Sequence, residues 1–241
     1  MVRLICEGGP AIVALQELAV GTLPRLEAWS GYRSYGDVAA RARLPRNLGT
    51  LVTDLDPNRL RSAVEGQANA ILVVPSLEVT DHRTIVLNPR GFRKRVGEEL
   101  RLGVVARLAW ARERRICQAL RIRLADGRTV VVANLHATSF RDDKRIADAE
   151  LLRAAAFVDG LAEPGEPVVL AGDFNVSVVT SPTLRALGTS EWGFSQAGPG
   201  VDHVLVRGLT PQGPERHWPE DLRRHGDVLL SDHAPVELEV R

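Results

Sequence analysis

A chain of 241 residues that is 44% hydrophobic holds enough apolar material for one large domain or two small ones. Its formal net charge of +1, with 25% charged residues, gives no global field that would select nucleic acid or an anionic membrane. No apolar run is long enough to cross a bilayer, and MVRLICEGGP lacks the apolar middle of a signal peptide, so a soluble, cytoplasmic protein is expected. Arginine dominates the positive charge; Lys94 and Lys144 are the lysines. The basic clusters Arg93-Lys94-Arg95, Arg112 and Arg114-Arg115 are read as solvated faces. Cys6 and Cys117 have the spacing of neither a zinc site nor a disulfide framework and are expected as small core residues.

In chain order, residues 2–7 read as the end of a helix that Gly8-Gly9 terminates. AIVALQEL (11–18) is a buried strand, residues 22–45 are turn-rich with a strand near Tyr32–Tyr35, and NAILVVPS (69–76) and HRTIVLN (82–88) are further strands. LGVVARLAW (102–110) and RRICQALRIRL (114–124) flank a short charged turn at Arg112-Glu113. In the second run Ile116, Gln118, Leu120, Ile122 and Leu124 share one parity, and Asp126-Gly127 then predicts an antiparallel hairpin with TVVVANLHA (129–137). After Ser139 the period becomes helical over 142–162, with acids at its start and Pro164-Gly165 at its end. A strand through PVVLAGDFN, a short helix near 181–188 and two strands at 201–208 and 234–241 complete the chain. Strands outnumber helices and pair largely as hairpins, which predicts an antiparallel sheet system covered by helices.

VVLAGDFNVS (168–177) poses the functional question. On extended chain, Asp173 and Asn175 point to the same side. Other polar residues also interrupt or end apolar strands: Gln16-Glu17, Asn134 and His136, Asp202-His203, and Asp232-His233. His203 alone reads as a satisfied core residue. Together these groups suit metal-assisted hydrolysis of a phosphate ester. Glu17 and Asp232 are hard oxygen ligands for magnesium, and Asp173 would orient, or take a proton from, the attacking water. Asn175 would hold that water or a phosphate oxygen, and His233, oriented by Asp202, would bind the phosphate as a cation.

In this order QE, NLH, GDFN, DH and SDH resemble the endonuclease/exonuclease/phosphatase superfamily of deoxyribonuclease I-like and exonuclease III-like hydrolases. The resemblance covers roughly residues 8–241, and LAGDFN and SDHAPV are its most specific motifs. It implies an α/β fold, a four-layer α-β-β-α sandwich of two packed, mostly antiparallel sheets with helices outside, in one domain spanning 1–241. It places the metal-ligand glutamate on Glu17 and the metal-side aspartate on Asp232, with Mg2+ or Mn2+ as cofactor. His136 would bind phosphate or assist the leaving group, with Asn134 lining the site and Asn69 near the substrate. Asp173 and Asn175 would orient water, and Asp202 would support the catalytic His233. The implied reaction is in-line attack of water on a phosphate ester.

The chain departs from that pattern at its start. Family members open with a strand carrying Trp-Asn, whose asparagine helps to hold the metal, whereas the tryptophans here precede Ser30, Ala111, Gly193 and Pro219. On that resemblance, the chain is expected to lack the first strand. A misassigned start is the favoured explanation, because losing a buried strand uncovers ladder groups and apolar surface; a weakened or inactive chain is the other. The substrate is left open. Arg41, Arg43, Arg46, Arg59 and Arg61 would track the phosphates of nucleic acid or stand solvated. The leading reading is a phosphodiesterase or nuclease, expected as a monomer. The alternatives are a phosphatase for small molecules or lipid head groups, and a catalytically weakened binding protein.

Overall fold

The computed structural model describes residues 1–41 and 66–241; Arg43, Arg46, Arg59 and Arg61 lie outside them. Two sheets pack face to face. The first contains β1 (Ile12–Leu18), β2 (Arg33–Ala40) and β3 (Gln67–Val73) in the antiparallel order β1-β3-β2, so β1 lies at an edge. The second contains β4 (Glu78–Val86), β5 (Ile116–Arg123), β6 (Thr129–His136), β7 (Val168–Asp173) and β8 (Asp202–Arg207) in chain order. Only β6 and β7 within it run parallel, joined by a crossover helix.

Strand alternation divides the core into layers. On β5, Leu120 and Ile122 turn inward with Val130 and Val132 of β6 and meet Ile71 and Val73 of the first sheet. Cys117 and Ala119 turn outward, where Ala133, Leu135, Leu170 and Leu205 pack on α5 (Arg145–Leu161) and α6 (Pro182–Leu187). The expected parity of the even residues of β5 is therefore realised, and Cys117 is a buried core residue whose thiol is pushed up by burial. On the far side, α1 (Val2–Glu7) and α2 (Leu26–Ser30) cover Val13, Ala70 and Leu72, with half-buried Cys6 beside them. Helix, sheet, sheet, helix is the four-layer order expected. The Asp126-Gly127 hairpin forms as predicted, closed by Leu124 N–H to Arg128 O at 2.8 Å with Gly127 at φ 85°.

Three segments differ from the sequence reading. The charged stretch Arg90–Glu99 is a helix, α3, and the run after Gly103 is another, α4 (Val104–Arg112), rather than the first arm of a turn. Leu102, Ala106 and Trp110 recur every fourth residue and form the buried face, whereas the β-branched pair Val104-Val105 is exposed. At the C-terminus only Val236–Glu237 is strand, paired with the exposed Arg216–His217, so the expected strand over 234–241 shrinks to two residues and a bridge between Pro211 and Val240. Among the described residues no helix is long and apolar enough to cross a membrane.

Candidate active site

The register of the second sheet assembles the site. His136 ends β6 opposite Asp173, which ends β7 opposite Asp202 at the start of β8. Three polar side chains thus stand abreast across three strands. The C-terminal loop brings His233 onto the row, its Nδ1 2.9 Å from Asp202 Oδ2 and 3.1 Å from Oδ1. Glu17 approaches from the other sheet, with Oε1 3.6 Å from His136 Nε2; Asp173 Oδ2 is 3.5 Å from that same nitrogen. Asp232 is exposed, adjacent to His233 in sequence, and its charge acts on that ring.

Local backbone features aim these groups. Gly172 holds φ 133°, and a Cβ there would fall on the Leu135 carbonyl oxygen, so glycine is required where β7 meets β6. β1 bulges between Leu15 and Leu18, and Glu17 in the bulge takes φ 55°, which turns an exposed carboxylate toward His136. Asn175 takes φ 54°. Among the described residues only Arg101 joins these two as non-glycine residues in the left-handed region, a conformation kept where the surroundings demand it.

Asn175 reaches Asp173 by a turn, not by strand alternation. β7 stops at Asp173, and Asn175 folds back to donate N–H to Asp173 Oδ1 and Nδ2–H to Oδ2, both at 2.9 Å, and Nδ2–H to Ala137 O at 3.1 Å. The side-chain amide protons are thereby engaged, leaving Oδ1 to accept from water. Asn134 is fully buried and cross-links the sheets: it accepts from Gln16 Nε2 at 2.7 Å and donates toward Leu15 O, Ala70 O and Gln118 Oε1. Asn69 is buried on β3, and its Nδ2 has no partner. His203 lies in the core against Phe174, as expected, with Nε2 3.2 Å from Val176 O.

The environment tunes the row in opposite directions. Burial, then the charge of Asp202, push the Asp173 carboxyl up to about 6, with the Glu17 charge adding to the rise, against the pull of His233. The hydrogen bond that His233 Nδ1–H donates to Asp202, with the charges of Asp202, Asp173 and Asp232, raises His233 to about 9 and keeps it cationic. Burial, with the positive charges of Arg115 and His233, holds His136 well below its ordinary value, so it is neutral.

Two contributors escaped the sequence reading. Arg115, assigned there to a solvated cluster, is only 5% exposed. Its Nη1 lies 3.0 Å from His136 Nδ1 and 3.2 Å from Nε2, and its Nη2 donates to Glu113 Oε2 at 2.6 Å. A guanidinium offers only donors, so the ring beside it must keep an acceptor nitrogen. The one clue in the sequence was its place directly before the alternating strand. Glu150 is fully buried on α5 and accepts from Trp110 Nε1, Thr138 N and Thr138 Oγ1 at 2.6 to 2.8 Å, fixing the chain just beyond His136.

Asp173, Asp202 and His233 have donor atoms within 4.8 Å of one another. A histidine held cationic is a poor metal ligand, so this trio suits proton and phosphate chemistry better than a cation. Hard oxygen donors suited to a divalent ion stand around the trio: the carboxylate of Glu17, 62% exposed, acts on Asp173, and that of Asp232 acts on His233.

The sequence profile of the Endonuclease/Exonuclease/phosphatase family matches residues 2–233. UPF0294 proteins of Vibrio cholerae are 34% identical over 133 residues, 50% of this chain and 46% of theirs, so the chain spans about half the length of the curated relatives it matches. Among solved structures, D. rerio TDP2 complexed with single strand DNA product aligns at TM-score 0.64 and 12% identity, over 100% of this chain and 91% of that one. An endonuclease/exonuclease/phosphatase family protein from Bacteroides thetaiotaomicron aligns at 0.63 and 15% identity, over 99% and 84%. At such identities the likeness to these structures is one of fold.

Proposed function

We propose that this chain, which belongs to the Endonuclease/Exonuclease/phosphatase family, is a divalent-metal-dependent phosphodiesterase whose nucleophile is water. The observation that carries the reading is the row His136–Asp173–Asp202–His233, in which one carboxyl is raised to about 6 while the neighbouring histidine is raised to about 9. Environments that push two titratable groups apart define a base and a cation at the same pH.

At neutral pH most Asp173 carboxylates are ionised yet retain enough basicity to accept a proton from water held beside them. Asn175 fixes that carboxylate through both of its oxygens. His233, oriented by Asp202, donates to a non-bridging phosphate oxygen as charge builds there. Neutral His136, set against Arg115, donates to a second phosphate or leaving-group oxygen, and Asn69 adds a donor from the opposite sheet. Water oxygen bonds to phosphorus and passes a proton to Asp173 as the bond from phosphorus to the ester oxygen breaks; that oxygen departs as an anion hydrogen-bonded by His136 and takes its proton from solvent water. Glu17 and Asp232 would hold Mg2+ or Mn2+, which would supply Lewis-acid polarisation of the phosphoryl oxygen and offset developing charge. Asn134 acts behind the site, locking Gln16, and with it the Glu17 bulge, to β6.

D. rerio TDP2 holds a single strand DNA product, and a phosphodiester of nucleic acid is accordingly the first substrate class to try. The test is hydrolysis of bis-p-nitrophenyl phosphate, single-stranded DNA and a phosphomonoester panel, each with magnesium, manganese or chelator. Metal-dependent turnover of diesters ahead of monoesters is expected. Preference for monoesters would replace the reading with a phosphatase, and no turnover on any substrate would remove the enzymatic reading.

A further inference from the structure

Residues 90–112 carry seven arginines and lysines against two glutamates, a local charge of +5 in a chain whose total is +1. This segment is α3, α4 and their connections. α3 packs on α4 through Phe92 and Trp110, whose rings meet edge to face at 5.8 Å, and Arg107 bonds back to Gly97 O and Leu102 O. With its inner face so engaged, α4 presents outward Val104, Val105 and Leu108, which are 73%, 71% and 66% exposed. On a helix these three fall within one arc of about a hundred degrees, and Arg112 shares that arc. Single exposed aliphatics are common on monomers; three on one helical turn, bordered by cations, are not.

We infer that the α3–α4 face docks on an anionic phospholipid surface. An interfacial helix places aliphatic side chains at the level of the acyl boundary and arginines and lysines at the head groups, and α3 and α4 together carry both exposed aliphatics and exposed cations. A polyanionic nucleic acid would engage the same cations but leave Val104, Val105 and Leu108 in water. A second copy of the chain would cover the aliphatics but bring two segments of +5 together. Anionic lipid satisfies both features. The inference is independent of the proposed hydrolysis, because none of these side chains belongs to the active site.

The test is co-sedimentation of the full chain with vesicles of phosphatidylcholine alone and of phosphatidylcholine mixed with phosphatidylglycerol, at low and high salt. Binding to the mixed vesicles only, weakened by salt, is expected. Val105→Glu with Leu108→Glu should weaken it at least about tenfold, as should Lys94→Glu with Arg95→Glu, with circular dichroism unchanged because all four side chains are exposed. Failure to sediment with mixed vesicles, or binding indifferent to Val105→Glu/Leu108→Glu, overturns the inference. So does concentration-dependent dimerisation abolished by that variant in a protein that ignores vesicles. Arginine-dependent binding of a DNA oligonucleotide without vesicle binding would assign the face to nucleic acid instead.

Discussion

Replacing Asp202 by Asn tests the electrostatic design of the site. Asp202 Oδ2 lies 2.9 Å from His233 Nδ1 and is the largest cause of its rise from 6.5 to about 9. Asp202→Asn removes that charge but leaves Asp173 and Asp232, so the ring should titrate near its ordinary value, roughly 6.5 to 7. At about pH 7.5 the imidazolium population then falls from nearly all molecules to between roughly one in ten and one in four. Asp173 should move the same way, since the Asp202 charge helps to hold it up. The sign for stability follows from the raised histidine. The pair's contribution is full below about pH 6.5 and is lost as pH rises through about 9. A shift of that size corresponds to about 3 kcal/mol between protonation states. The His233 side chain is 49% exposed, however, and solvent screening reduces the stability contribution to about 1 kcal/mol. The assay is NMR titration of the histidine ring and aspartate carboxyl signals in chelator, with denaturant unfolding at pH 6 and pH 10 beside it. A wild-type His233 titrating near 6.5, or an unchanged value in Asp202→Asn, would refute the reasoning.

Gly172→Ala should cost about 3 kcal/mol or more, read from the denaturation midpoint, because the new methyl meets the Leu135 carbonyl oxygen at a φ that alanine avoids. Arg115→Met should raise the His136 value toward, but not to, the ordinary one, since burial remains its larger cause; ring titration by NMR reads this directly. Glu150→Ala should lose about 3 kcal/mol in chemical unfolding, because Trp110 Nε1 and two donors of Thr138 are left unpaired.

What the sequence disclosed depended on whether a residue's role was local. The hairpin at Asp126-Gly127, the helix over 145–161 and the even-numbered face of β5 rest on periodicity and turn chemistry, and all three form. Asp173 and Asn175 were rightly paired for the wrong reason: alternation assumed extended chain, whereas the left-handed Asn175 makes a turn that no period of two describes. Arg115 and Arg114 look alike in sequence. One is buried against His136, and the other is exposed and bonded to Val38 O and Ala39 O; the difference lies in contacts from β2, β3 and β6, far along the chain. α4 was obscured because its β-branched residues face outward while its buried face is carried by the sparse series Leu102, Ala106, Trp110. The family motifs supplied the candidate members of the row. Their alignment across β6, β7 and β8 emerged only from strand register.

The most direct test of the central claim is the turnover of bis-p-nitrophenyl phosphate by Asp173→Asn beside wild type, with Mg2+ or Mn2+ present. Asparagine preserves the shape of the side chain and one acceptor oxygen but cannot take a proton, so kcat should fall about 10^3-fold while circular dichroism and KM stay near wild type. Turnover within a few-fold of wild type in the folded variant would contradict the assignment of Asp173 as the base that activates water.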